Sequence, residues 1–269
     1  MKIERDLIAR WKFAQTLVRL GGDSTLPLFQ QADLAVDLKE DQSPVTAADR
    51  NAEQLMRVEI SRAFPHDGVL GEEFGECPGT SGYRWVLDPI DGTKSFITGV
   101  PLYGTMVGLE SAGAAVCGAI YFPALQESIH AAAGQGCYWT NADGIETSAR
   151  VATKQDLAKC TLLVSDARTF ASRDAAHVWE TLEAQVKFAR TWGDCYGYYL
   201  VATGRADIMI DPRLSAWDAV AAMPIICEAG GRFTDWQGRD RTDSGDAFAT
   251  NPAIWPHIVA LTRSAKPLD

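Results

Sequence analysis

Between residues 4 and 20, apolar side chains recur at helical spacing: Leu7, Ile8, Trp11, Phe13, Ala14, Leu17, Val18 and Leu20. One face of an amphipathic helix accounts for them, and Gly21 with Gly22 is its expected end. Around Lys39 the chain turns polar, and Ser43 with Pro44 reads as a turn. Thr46 then opens a second helix, with Ala47, Leu55, Met56, Val58 and Ile60 as apolar positions and a stop at residues 65–68. Residues 69–71 read as a short buried strand running into Glu72 and Glu73. Residues 84–87 read as another, with Asp88 at its end. The patterns over 103–109 with 114–121, and 128–133 with 136–140, predict antiparallel pairs, followed by a turn at 141–144. Beyond Arg150 the pattern changes to strands at 161–165, 186–189 and 206–210 between helices at 174–185, 195–203 and 219–229. The class is α/β with an α+β first half. The change of pattern suggests an N-terminal part, 1–149, and a C-terminal part, 150–269.

Composition narrows the function. The 269 residues are 46% hydrophobic and 22% charged, enough for a sizeable core. A net charge of −10 argues against nucleic acid as a partner, which calls for clustered Lys and Arg. None of the six cysteines stands in a C-x-x-C pair, so zinc-ribbon spacing is absent. No apolar run approaches the ~18 residues of a membrane span. The start MKIERDLIARWKFAQ lacks the apolar core of a secretory signal. Free thiols in a reducing cytoplasm are the expectation.

The segment WVLDPIDGTKSF, residues 85–96, carries the chemistry. A strand delivers Asp88 to its end, Pro89 turns the chain, and Asp91 returns beside Asp88. The Ile90 carbonyl is left free of a ladder, Gly92 permits a tight backbone, and Thr93 opens a helix whose first amides are unpaired. Carboxylates and a carbonyl suit a hard cation such as magnesium, and a helix start suits phosphate. Read alone, Asp-Pro and Asp-Gly are also common turn dipeptides. Three further segments place acids similarly: Glu72 after a strand, Asp218 before an apolar helix and Asp49 early in another. Asp218 and Asp49 are equally good helix-start residues.

Taken together, SPVTAADR at 43–50, GEEFG at 71–75, WVLDPIDGTKSF at 85–96 and WDAVAAMPIICEAGG at 217–231 resemble the inositol monophosphatase family of magnesium-dependent phosphatases. The resemblance implies an alternating αβαβα sandwich, like that of fructose-1,6-bisphosphatase, with metals at the junction of its halves. It implies that Glu72, Asp88 and the Ile90 carbonyl hold one magnesium, and that Asp88, Asp91 and Asp218 hold a second. A third ion would touch Glu72 and reach Asp49 through water. Manganese or calcium suits the same oxygen ligands. The amides of Gly92 and Thr93 would cradle phosphate. The Thr93 hydroxyl, paired with Glu72 or Asp49, would orient the attacking water, and Glu73 would stand nearby. A homodimer is a further family expectation.

Within the family, DGTKSFITGVPLYGT and RTWGDCYG, at 91–105 and 190–197, resemble the histidinol-phosphate phosphatase branch. Inositol-type and 3′-phosphoadenosine phosphatases are the alternatives, and a regulatory protein without turnover is a third. Histidinol phosphate carries an ammonium and an imidazole, which call for carboxylates. Asp194 and Asp211 are the candidates, with Arg190 placed to meet phosphate oxygens or Asp194. Tyr198 and Tyr199 put large rings where smaller residues were expected.

Overall fold

The computed structural model describes residues 2–268. The sheets follow from strands whose alternate residues enter different cores. In β5 (Tyr83–Asp91), Trp85 and Leu87 enter one apolar cluster with Val107 and Leu109 of β6 (Gly104–Ser111). Met106 of β6, and Ile120 and Phe122 of β7 (Ala114–Phe122), enter another on the opposite face. An eight-stranded sheet results, in the order β10-β9-β8-β7-β6-β5-β3-β4. Its other members are β3 (Gly68–Gly71), β4 (Gly75–Cys77), β8 (Glu127–Ala132), β9 (Gly136–Thr140) and β10 (Glu146–Ser148). All its pairings are antiparallel except β3 with β5.

A second sheet, β12-β11-β13-β15-β14, comprises β11 (Thr161–Leu163), β12 (Phe188–Arg190), β13 (Ile208–Asp211), β14 (Arg232–Thr234) and β15 (Ala247–Thr250). Here too parity sorts the side chains: Met209, Ala247 and Ala249 face one cluster, while Ile208, Ile210 and Phe248 face another. The layers alternate. Helices α1 (Lys2–Thr25) and α2 (Ala47–Ala63) cover the outer face of the large sheet. Between the sheets lie α6 (Asp194–Ala202) and α7 (Ala216–Glu228). The far face carries α4 (Arg168–Ser172), α5 (Ala176–Gln185) and α8 (Trp255–Thr262). The fold is the expected αβαβα sandwich. A short α3 (Thr93–Ile97) follows β5, and β1 (Val36–Leu38) pairs with β2 (Pro44–Thr46) as a separate hairpin. No described helix is long and apolar enough to cross a membrane.

Several boundaries differ from the pattern. Helix α1 continues through Gly21 and Gly22, because both glycines are interface residues. A Cβ on Gly21 would stand 2.7 Å from Met56 Sδ, and one on Gly22 2.7 Å from the Tyr121 ring. Pro44 belongs to β2, and the turn lies just before it. β5 runs on to Asp91 instead of stopping at Leu87. α7 starts at Ala216 and continues through Pro224. The chain after Gly231, which the periodicity left unassigned, supplies β14, β15 and α8.

One packing detail decides where the site forms. α7 lies close on the large sheet because β6 and β7 offer glycines beneath it. A Cβ on Gly108 would meet Val220 at 2.7 Å, and one on Gly118 would meet the Ala221 carbonyl oxygen at 2.0 Å. Gly118→Ala is therefore expected to lift α7 and to destabilise the fold by roughly 1–3 kcal/mol, the usual cost of overpacking. A thermal melt measures this, and an unchanged midpoint would contradict the close approach.

Candidate active site

β3 and β5 are parallel neighbours, with Gly71 opposite Leu87, so both chains run toward the same end of the sheet. The Glu72 amide donates to the Leu87 carbonyl at 3.2 Å. Glu72 and Asp88 therefore emerge side by side. By strand parity Asp88 points away from Leu87 and toward the α6–α7 layer. There the ladder with β6 slips: Asp88 pairs with Met106, but Asp91 pairs with Gly104, one extra residue on β5. The bulge is stapled internally. Asp88 Oδ1 accepts the Ile90 amide at 3.0 Å, and Thr105 Oγ1 donates to the Pro89 carbonyl at 2.7 Å. Gly92 closes it at φ +85°, a left-handed conformation that glycine adopts without strain, and begins α3.

Asp218 arrives from α7 as the third residue of the helix. One of its oxygens accepts the Ser215 amide at 2.9 Å, so it caps the helix and still reaches the cluster. Asp88, Asp91 and Asp218 each bring a carboxylate oxygen within 4.8 Å of the others. Among the described residues no Lys or Arg forms an ion pair with any of them. Burial, then the charges of Glu72, Asp91 and Asp218, pushes the Asp88 carboxyl far above the usual carboxylate range. Burial, then Asp194 and Asp218, does the same for Asp91. Burial raises Asp218 to about 7, with Glu72 adding to it. Convergent, uncompensated carboxylate oxygens are the donor set of a hard divalent cation, so the residues present fit a metal of that class.

The remaining expected residues are placed as follows. Glu72 lies beside the cluster, but Lys39 Nζ, from the β1–β2 hairpin, donates to Glu72 Oε1 at 2.6 Å and to Glu73 Oε1 at 2.7 Å. Burial opposes the Lys39 charge, yet those two carboxylates hold its pKa above the ordinary lysine value. Asp49 is engaged by its own helix start, where Oδ2 accepts the Thr46 amide at 2.8 Å and the Thr46 hydroxyl at 2.6 Å. The Thr93 hydroxyl, expected to pair with Glu72 or Asp49, instead donates to the Ile90 carbonyl at 3.1 Å, since the bulge brings that carbonyl back over the helix start. Thr93 and Gly92 do stand at the first turn of α3, where amides lack intrahelical partners.

Asp194, a candidate for the cationic end of a substrate, comes to the cluster itself. It starts α6 at φ +51°, and its carboxylate lies against Gly92, where a Cβ would be 3.1 Å from Oδ2. The next amide, of Cys195, donates to Asp91 Oδ2. Burial raises the Asp194 carboxyl, while Ser165 and Lys94 act to lower it. Asp211 differs from its expected placement. It is 3% exposed, and both oxygens are taken, Oδ1 by Ser165 Oγ at 2.7 Å and Oδ2 by the Tyr198 hydroxyl at 2.8 Å. Ser165 Oγ also accepts the Asp194 amide at 2.9 Å, so Asp211 braces Asp194 through Ser165. Arg190 is exposed and donates to the Ala189 carbonyl at 2.7 Å, without an ion pair to Asp194. Tyr199 turns into the core, bonding Glu127 at 2.8 Å. Lys39, Ser165 and Lys94 had no role in the sequence reading. Ser165 stands at the end of a segment read only as a strand, and nothing local marks it.

A cavity of about 810 Å³ adjoins Asp218 and Ser215, with Arg213, Arg239 and Arg241 on its walls. Of the cluster only Asp218 lines it, and Arg239 and Arg241 are paired with Asp235 and Asp243.

Comparison with known proteins gives this geometry its kin. The profile of the inositol monophosphatase family matches residues 10–265. A histidinol-phosphatase of Chlorobaculum parvum is 41% identical over 250 residues, 93% of this chain and 95% of that protein. An inositol-1-monophosphatase of Mesorhizobium japonicum is 32% identical over 260 residues, 95% of each chain. The solved structure of an inositol monophosphatase from Zymomonas mobilis matches with a TM-score of 0.82 at 29% identity, over 95% of this chain and 98% of that one. With a family profile spanning most of its length and a site assembled from the motif residues, this chain belongs to the inositol monophosphatase family and is a phosphatase.

Proposed function

We propose that the chain is a magnesium-dependent phosphomonoesterase that hydrolyses L-histidinol phosphate to L-histidinol and phosphate. The observation that carries the metal-dependent chemistry is the uncompensated trio Asp88, Asp91 and Asp218. The stronger likeness to a histidinol-phosphatase than to an inositol-1-monophosphatase, 41% against 32% identity, supports the substrate branch. Glu72, Asp88, Asp91, Asp218 and the Ile90 carbonyl would hold magnesium, or manganese in its place, with Asp49 as an outer partner. Bound there, the cation supplies Lewis acidity and a lowered pKa for water.

The chain's own residues do the rest. The Gly92 and Thr93 amides at the start of α3 orient the phosphate. The Ile90 carbonyl fixes the Thr93 hydroxyl, which is placed to hold the attacking water. Asp194, against Gly92, faces the cationic end of the substrate. Ser165, anchored by Asp211, holds the Asp194 backbone in its left-handed turn. Arg213, on the cavity wall, attracts the incoming dianion.

Purified protein is expected to release phosphate from L-histidinol phosphate with magnesium and to lose that activity on chelation. A higher kcat/KM for inositol 1-phosphate or 3′-phosphoadenosine 5′-phosphate would move it to another branch. Asp194→Ala is expected to reduce kcat/KM on histidinol phosphate at least about tenfold, the order of one lost charge-assisted contact, while sparing inositol 1-phosphate. Equal losses on both substrates would remove Asp194 from that role.

The cluster also sets a pH dependence. Asp218 binds its proton more tightly folded than unfolded, with a pKa of about 7 against the ordinary 3.8. The folded state then holds more protons across that window, so metal-free stability falls as pH rises from about 4 to about 7. Asp218→Asn is expected to flatten the slope of melting temperature over this range. Magnesium is expected to raise the wild-type midpoint more at pH 7.5 than at pH 5. An unchanged slope in the variant would place the titration elsewhere.

A further inference from the structure

Helix α2 presents Asp49, Glu53 and Arg57 at four-residue intervals, on one face. Asp49 belongs to the site described above; Glu53 does not, and its side chain has no solvent exposure. Its carboxylate is nonetheless fully used, and its partners lie almost entirely in the acidic turn. Oε2 accepts the Glu73 amide at 2.8 Å, and Oε1 accepts the Phe74 amide at 3.2 Å. Arg57 Nε neutralises it at 2.7 Å and, with its other nitrogen, donates to the Gly75 carbonyl at the far end of the same turn. The turn begins with Gly71, where a Cβ would stand 2.0 Å from Glu53 Oε1 and 2.7 Å from Oε2. That glycine is needed because the buried carboxylate occupies the side-chain space, and its φ plays no part.

We propose that Glu53 is a positioning residue that sets the aim of Glu72 and Glu73 by gripping the amides just after them. This rests on the reading of Glu72 as a metal ligand. Glu72 is fixed on one side by its amide bond to Leu87 and on the other by the grip of Glu53 on the Glu73 amide. A carboxylate can accept from two amides at once. A glutamine in its place turns an NH₂ toward one of those N–H groups, so the turn must shift.

The test measures magnesium binding by titration calorimetry on the full chain, alongside kcat and KM for histidinol phosphate. Glu53→Gln is expected to weaken magnesium binding about 10–100-fold, the usual effect of losing a partner behind a ligand, with KM unchanged at saturating magnesium. Gly71→Ala reaches the same end without altering Glu53, by displacing its carboxylate, and takes over the measurement if Glu53→Gln does not fold. Glu72→Gln is the comparator. If Glu72→Gln weakens binding while a folded Glu53→Gln or Gly71→Ala keeps wild-type affinity and kcat, the positioning role is overturned and the ligand reading stands. If Glu72→Gln itself binds magnesium as wild type does, the ligand reading fails and the proposal with it.

Discussion

The structure depends on a repulsion that it does not relieve from within. Two unit charges 4 Å apart cost about 4 kcal/mol at an effective dielectric of 20, and burial adds the loss of hydration. Elsewhere four acids with buried side chains are paired with a cation. Asp67 has Arg10, Glu53 has Arg57, Asp207 has Lys154 and Asp246 has Arg173. Asp88 and Asp91 at the end of β5 and Asp218 from α7 have no such partner among the described residues, so the trio must take up protons or an external cation. Asp49 and Asp211, buried without a cation, are held instead by donors of their own surroundings, so the trio is where several unpaired carboxylates face one another.

Topology explains how the three meet. Had these neighbouring strands been antiparallel, Glu72 and Asp88 would lie at opposite ends of the sheet. The one parallel pairing of the eight-stranded sheet, β3 with β5, brings both to one end. The bulge then supplies the extra residue that turns Asp91 back, and its staples to Ile90 and Thr105 keep it open. Asp218 comes from more than a hundred residues away, and its approach is set by Gly108 and Gly118 under α7. Small residues remote from the reaction thus bring a carboxylate oxygen to within 4.8 Å of two others. Local capping reinforces this, because Asp218 and Asp49 each satisfy the amide that starts their helix.

What the sequence made legible follows the same physics. Asp88, Asp91 and Gly92 sit within one short segment, so their spacing announces a turn that brings the two acids together, but not that the strand continues through a bulge to make it. Strand and helix periods, which are local, made the α/β class legible, while the layered sandwich was legible only through the motifs' resemblance to a family. Lys39 was not, because its partners Glu72 and Glu73 lie across the fold and a hairpin of three-residue strands has too little period to read. Asp211 was misplaced as a free carboxylate, since the two hydroxyls that consume it come from Ser165, 46 residues away, and Tyr198. The strands after Gly231 escaped because each is three or four residues long and they are separated by a polar loop. The Glu53 spacing was present in the sequence, but a charged residue on a helix reads as solvated until a turn is seen to close over it.

Asp194 joins this electrostatics to the choice of substrate. Its charge acts on Asp91 and lies against the glycine whose amide is assigned to phosphate. A second negative charge at that place disfavours a phosphate dianion unless something positive accompanies it. Lys94 acts from outside to lower the Asp194 carboxyl, but it is an exposed side chain that solvent screens. A substrate bringing its own ammonium would neutralise Asp194 in the act of binding and remove the penalty on the phosphate at the same step. A neutral polyol phosphate leaves the penalty in place. On the proposed reading, selectivity for a cationic phosphate ester therefore comes from a repulsion that only the right substrate cancels, with no need for a tight pocket around its ring.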